Sequence, residues 1–171
     1  MKKGSYLLLI SLGEDKDIEV GRSGKWHFPS GTYLYCGSAL NGIGNRVGRH
    51  FDHDKTLHWH IDYLLQEGKV FGALIFPDER RLECRIFTTL SHDGSLTIPV
   101  KGFGSSDCSC PSHLLHLADE ERLGPLLKTL WKTLSSDRIW DNRRRSTGPW
   151  KGPRSTLPSA SCPWDRWSNW V

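Results

Sequence analysis

The stretch Tyr33–Phe51, YLYCGSALNGIGNRVGRHF, decides how the chain is read. Tyr33–Cys36 reads as a strand and Gly37 as its stop. A glycine-dense turn follows. From Ile43 to Phe51 the apolar positions Ile43, Val47 and Phe51 recur every four residues, the pattern of a helix with one buried stripe. Arg46 and His50 form a second stripe beside the buried one. The segment is therefore a strand, a turn and a short helix that carries an arginine and a histidine one turn apart.

Working outward, Tyr6–Leu12 is short and rich in branched apolar residues, which suits a strand buried on both faces. Residues 13–31, GEDKDIEVGRSGKWHFPSG, supply turn chemistry on both sides of a short strand at Ile18–Val20. Downstream, Leu57–Glu67 is expected as a helix closed by Gly68, and Lys69–Phe76 as a strand stopped by Pro77. Asp78 is placed to cap a helix that runs through Leu90. Leu82, Ile86 and Leu90 form its apolar row, and Glu83, one turn before Phe87, borders the core. Such a carboxylate is either a solvated flank or a site, because burial without a partner or metal is costly. A short strand at Leu96–Val100 and a helix within ERLGPLLKTLWKTL, residues 121–134, complete the series. The expected architecture is α/β of the α+β kind: a small central, mostly antiparallel sheet flanked by helices over residues 1–134. A basic tail rich in Trp, Pro and Arg, residues 135–171, is expected to be disordered.

The chain has 171 residues, of which 37% are hydrophobic and 25% charged, enough for one domain with a core and an appendage. No apolar run approaches the ~18 residues of a membrane span. The start, MKKGSYLLLISLGEDKD, imitates a secretory signal but ends in charge with no small-residue cleavage site, so a cytoplasmic protein is expected. Five cysteines, an odd number without disulfide-framework spacing, agree with a reducing compartment. The tail holds seven basic and three acidic residues, which accounts for the whole net charge of +4 and leaves a body with 16 of each sign. Any nucleic-acid role of that body must rest on local arrangement.

The segment YCGSALNGIGNRVGRH, together with Gly4, Ser5 and Tyr6 upstream, resembles the GIY-YIG endonuclease superfamily. The blocks GTYLYCGSAL, RVGRHF, HWHIDYLL, LECR and GFGSSDCSCPSHLLH are similar to a poorly characterised branch, some of whose members are fused to endonuclease III-type DNA-repair domains. The similarity covers roughly Lys3 to His116. It implies a divalent-metal-dependent nuclease acting on DNA in preference to RNA, with DNA-repair proteins as partners and no membrane. Gly4–Tyr6 would be the first motif and Tyr35–Gly37 the second, Arg46 the catalytic arginine, His50 the histidine one turn on, and Glu83 the metal-binding glutamate. Gly37, Ser38, Arg46 and Arg49 would touch the nucleic acid. Ser38 stands where the family often has lysine, and Asp107 is near the place of a terminal asparagine.

The chemistry of phosphodiester hydrolysis asks for an oriented water, neutralised phosphoryl oxygens and help for the leaving oxygen. Glu83 suits one Mg²⁺ or Mn²⁺, and Arg46 suits bidentate contact with phosphate. Tyr6 or Tyr35 would orient or deprotonate the water, which requires a phenol pKa well below the usual ~10. Two half-buried strand tyrosines and a solvated helix face are the plainer alternatives. His58 and Asp62 lie one turn apart if helical, either as an Asp-oriented histidine or as a polar flank that orders the helix, with His60 facing elsewhere. Cys108, Cys110 and His113, with Cys84, offer four soft ligands for zinc or pack as small hydrophobes. The tail's DNRRRSTGPWKGPR and CPWDRWSNW mix cations with aromatics, suited to phosphate contact and base stacking.

Overall fold

A computed structural model describes residues 2–52 and 54–145, with side chains described up to residue 135. Most of the tail lies outside the described residues. Its centre is a five-stranded antiparallel sheet in the order β5-β1-β4-β7-β6. These strands are β1 (Gly4–Leu12), β4 (Gly31–Ala39), β5 (Lys69–Pro77), β6 (Leu96–Thr97) and β7 (Leu114–Leu117). A separate hairpin joins β2 (Lys16–Glu19) to β3 (Lys25–Phe28). The fold is α+β, with four helices around the sheet among the described residues.

Alternation along β1 sets the layers. Tyr6, Leu8, Ile10 and Leu12 face one core, where α1 (Ile43–Phe51) contributes Ile43 and Val47 and α2 (His60–Glu67) contributes Ile61, Leu64 and Leu65. Leu7 and Leu9 face the other, against Ile86, Phe87 and Leu90 of α3 (Glu83–Ser91) and Leu126, Leu130 and Leu134 of α4 (Leu123–Arg145). Because both faces are covered, the strand is apolar at nearly every position, and truncating Leu8 would cost ~2–5 kcal/mol.

Several expectations are corrected. The second strand does not stop at Gly37 but runs to Ala39. Gly37 lies directly opposite Tyr6, and any Cβ there would collide with the Tyr6 ring. The glycine makes room for an aromatic across the sheet; it does not make a turn. Gly4 is equally constrained, since a Cβ would lie 2.6 Å from Ile43 Cδ1 and 2.7 Å from the Phe76 carbonyl oxygen. Phe51 is not on the buried stripe: it is 49% exposed, while His50 is 3% exposed. After Val47 the inward direction falls between the third and fourth residue, and the Tyr6 hydroxyl fixes the choice on His50.

The third helix begins at Glu83 and not after Asp78, whose carboxylate instead accepts the Arg80 amide at 2.9 Å and its guanidinium at 3.1 Å. The second begins at His60 and not at Leu57, because Asp62 holds the two preceding residues as a cap. The strand at Leu96 ends at Thr97. β3 and β7 had no counterpart in the sequence reading. α4 runs on to Arg145, so the boundary read at Leu134 falls inside a helix. No helix among the described residues is long and apolar enough to cross a membrane.

Candidate functional site

β7 pairs with β4 only from Thr32 to Tyr35, and the Cys36 amide then donates to the His113 carbonyl at 2.9 Å. Beyond Cys36, β4 continues beside β1 alone as far as Ala39. A cleft of about 470 Å³ opens there. Side chains from both helical layers meet in it: Tyr6, Tyr35, Arg46 and His50 from one side, Glu83 and His113 from the other. Gly37 and Ser38 line its floor beside them.

Tyr6 and His50 form a buried pair, with the phenol oxygen 2.8 Å from Nε2. Burial, and after it the Lys55 cation, pushes the imidazole down to about 4, so the ring is neutral near pH 7. A neutral imidazole carries one proton. If Nε2 accepts from Tyr6, the proton sits on Nδ1, which has no protein partner among the described residues. In the protein alone burial pushes both Tyr6 and Tyr35 upward, against the pull of Arg46. Gly104 has φ +69° and passes so close to Tyr35 that a Cβ would lie 2.8 Å from its ring.

Arg46 rises from α1 and lies with its guanidinium carbon 4.6 Å from the centre of the Trp59 ring. Trp59 is 41% exposed and lines the cleft. Such stacking limits the arginine's rotamers while leaving its N–H fork free to meet an anion.

Glu83 is buried at the start of α3, where Ser38 Oγ donates to Oε1 at 3.1 Å and Ser5 Oγ to Oε2 at 3.3 Å. Ser5 Oγ in turn accepts the Leu82 amide at 2.7 Å. The carboxylate is thus fixed by hydroxyls from two strands. One carboxylate with adjacent hydroxyls is a donor set of the kind hard divalent cations accept, alongside water and phosphate oxygen.

Arg49 and Asp62 stand outside the cleft. Asp62 is fully buried and accepts Arg49 Nη1 at 2.8 Å and the His58 and Trp59 amides at 2.9 Å each. Burial works against its charge, yet the hydrogen bonds from Arg49, Trp59 and His58 hold its carboxyl below the usual value. It therefore orders the segment before α2, and the His58 imidazole, stacked edge-on against Trp59, is not oriented by it. His60 faces away from Asp62 and into the cleft, with Nδ1 accepting the Gly104 amide at 3.3 Å. Asp107 lines the rim and pairs with Arg81 at 3.0 Å. Cys84, Cys108, Cys110 and His113 place four donor atoms within 4.8 Å of one another, an arrangement able to take one metal ion.

Ser5, Trp59 and Arg81 were not anticipated. Ser5 lies inside the first motif but shows no signal of its own, since its partner is 78 residues away. Trp59 lies inside the block HWHIDYLL, but nothing local marked it as the partner of Arg46, which approaches from another helix.

The sheet and cleft define a small α+β domain with one polar, two-sided cleft at the end of its central strands. The chain belongs to the family described as Domain of unknown function DUF123, whose model matches residues 5–136. No curated protein and no solved structure matches it.

Proposed function

We propose that the protein is a divalent-metal-dependent endonuclease of GIY-YIG type that hydrolyses phosphodiester bonds in DNA. One observation carries this reading: Tyr6, Tyr35, Arg46, His50 and Glu83, spread over most of the body's length, line a single cleft. Arg46 binds the scissile phosphate through its fork, held in place by Trp59. Tyr6, gripped by neutral His50, orients the attacking water. Ser5 and Ser38 aim the Glu83 carboxylate that would hold one Mg²⁺ or Mn²⁺. That cation supplies charge neutralisation at the phosphoryl oxygens and lowers the pKa of groups beside it. That the described cysteines form no disulfide supports a reducing, cytoplasmic setting. The likeness to repair-enzyme fusions supports DNA as substrate and repair proteins as partners. Arg49, committed to Asp62, contributes by ordering α1 more than by touching nucleic acid.

Labelled branched, nicked and single-stranded DNA incubated with Mn²⁺ or Mg²⁺ tests the proposal. Metal-dependent cutting is expected, reduced by ~10²–10³ in Arg46→Ala and in Glu83→Gln. A folded wild type that binds these substrates and cuts none of them makes the cleft a nucleic-acid-binding module and removes the catalytic roles.

A further inference from the structure

Only one of the body's four described cysteines is fully buried. Cys36 is fully buried in the core, as a small hydrophobe would be, whereas Cys84, Cys108 and Cys110 are only partly buried and converge on one histidine. His113 Nε2 lies 3.4 Å from Cys108 Sγ and 3.7 Å from Cys84 Sγ. With zinc–sulfur bonds of ~2.3 Å and a zinc–nitrogen bond of ~2.0 Å, ligand atoms of a tetrahedral site stand about 3.5–3.8 Å apart. The two His113–sulfur distances already match that spacing, and the widest donor pair, within 4.8 Å, would close by at most about 1 Å. Among the described residues none of Cys36, Cys84, Cys108 and Cys110 is in a disulfide.

We infer that Cys84, Cys108, Cys110 and His113 form a closed structural site for one Zn²⁺ that ties the loop before β7 to the first turn of α3. Three thiolates and an imidazole are soft donors, which select zinc over the hard cation suited to Glu83. Four protein ligands leave no open coordination position, so the ion braces the fold and takes no part in hydrolysis. It joins two segments distant in sequence: Cys84 in the first turn of α3, and Cys108, Cys110 and His113 in the loop that leads into β7. That loop forms one wall of the cleft through Gly104 and Asp107. Zinc thereby fixes both the wall and, through the neighbouring residue, the backbone that carries Glu83. The inference stands independently of the nuclease reading.

Elemental analysis of the purified full-length protein is expected to find one zinc per chain, lost in Cys84→Ser and in Cys110→Ser and kept in Cys36→Ser. Because a ligand variant can fail to fold, chelator-stripped wild type is also titrated with Co²⁺. The near-ultraviolet thiolate-to-cobalt band and the intense visible bands of a tetrahedral site should appear, and added Zn²⁺ should abolish them. Wild type that is folded by circular dichroism, contains no zinc and develops no such bands overturns the inference, as does full zinc retention in both serine variants. Arg46→Ala should keep its zinc, so a protein that never cuts DNA still returns a clear answer here.

Discussion

The His50→Gln substitution tests what the buried imidazole contributes to stability. Its folded value of about 4 lies below the 6.5 of a free histidine, chiefly because burial disfavours the charged ring and then because Lys55 is near. Between these two values the unfolded chain binds more protons than the folded one, so stability rises with pH through that window. The contribution is complete above about pH 6.5 and is lost as the pH falls towards 4, by ~3 kcal/mol in all. Glutamine keeps a polar group near the Tyr6 hydroxyl and cannot titrate. His60 and His113, which burial also holds below their ordinary values, and Asp62, whose hydrogen bonds keep it low, slope the same way in both proteins. Their effect cancels in the difference. Urea unfolding followed by tryptophan fluorescence should show wild type losing ~2.5 kcal/mol relative to the variant between about pH 7.5 and about pH 4.5. Parallel profiles, with a constant difference across the window, would mean that the protonated ring finds a partner for Nδ1, and the neutral Tyr6–His50 pair would have to be abandoned.

Gly37→Ala should lower stability by ~1–3 kcal/mol, because the new methyl needs the space of the Tyr6 ring. An unchanged melting temperature would show that the ring does not lie across that glycine. Asp62→Ala removes a fully buried carboxylate from Arg49 and two backbone amides. A loss of ~3 kcal/mol is expected by urea unfolding, with Asp62→Asn less damaged, and near-wild-type stability of Asp62→Ala would refute its role as the anchor of the segment before α2.

The elements that could be read from the sequence are those whose pattern is local. β1 is a continuous apolar run because helices cover both its faces, and α1 shows its period in Ile43 and Val47. What could not be read depends on neighbours far along the chain. Gly37 looks like a terminator until Tyr6 is known to lie opposite it. Asp78 looks like a cap until Arg80 is seen to occupy it. β7 is four residues long and follows a loop rich in Ser, Cys and Gly, and only its pairing with β4 makes it a strand. The choice between His50 and Phe51 as the inward residue of α1 lies within the tolerance of helical periodicity, and the Tyr6 hydroxyl decides it.

The candidate site was legible as a set of residues but not as a place. Its location follows from the short reach of β7, which leaves the end of β4 without a neighbour on one side and lets the two helical layers meet. The start of α3 then serves two donor sets at once. Consecutive residues of a helix point about 100° apart, so Glu83 and Cys84 cannot look the same way. Glu83 turns to the hydroxyls of Ser5 and Ser38, while Cys84 turns to His113 and the loop cysteines. A hard donor set and a soft one are therefore built back to back from adjacent side chains. On the proposed reading each set would prefer its own class of cation, so zinc in the loop would not compete with Mg²⁺ or Mn²⁺ in the cleft.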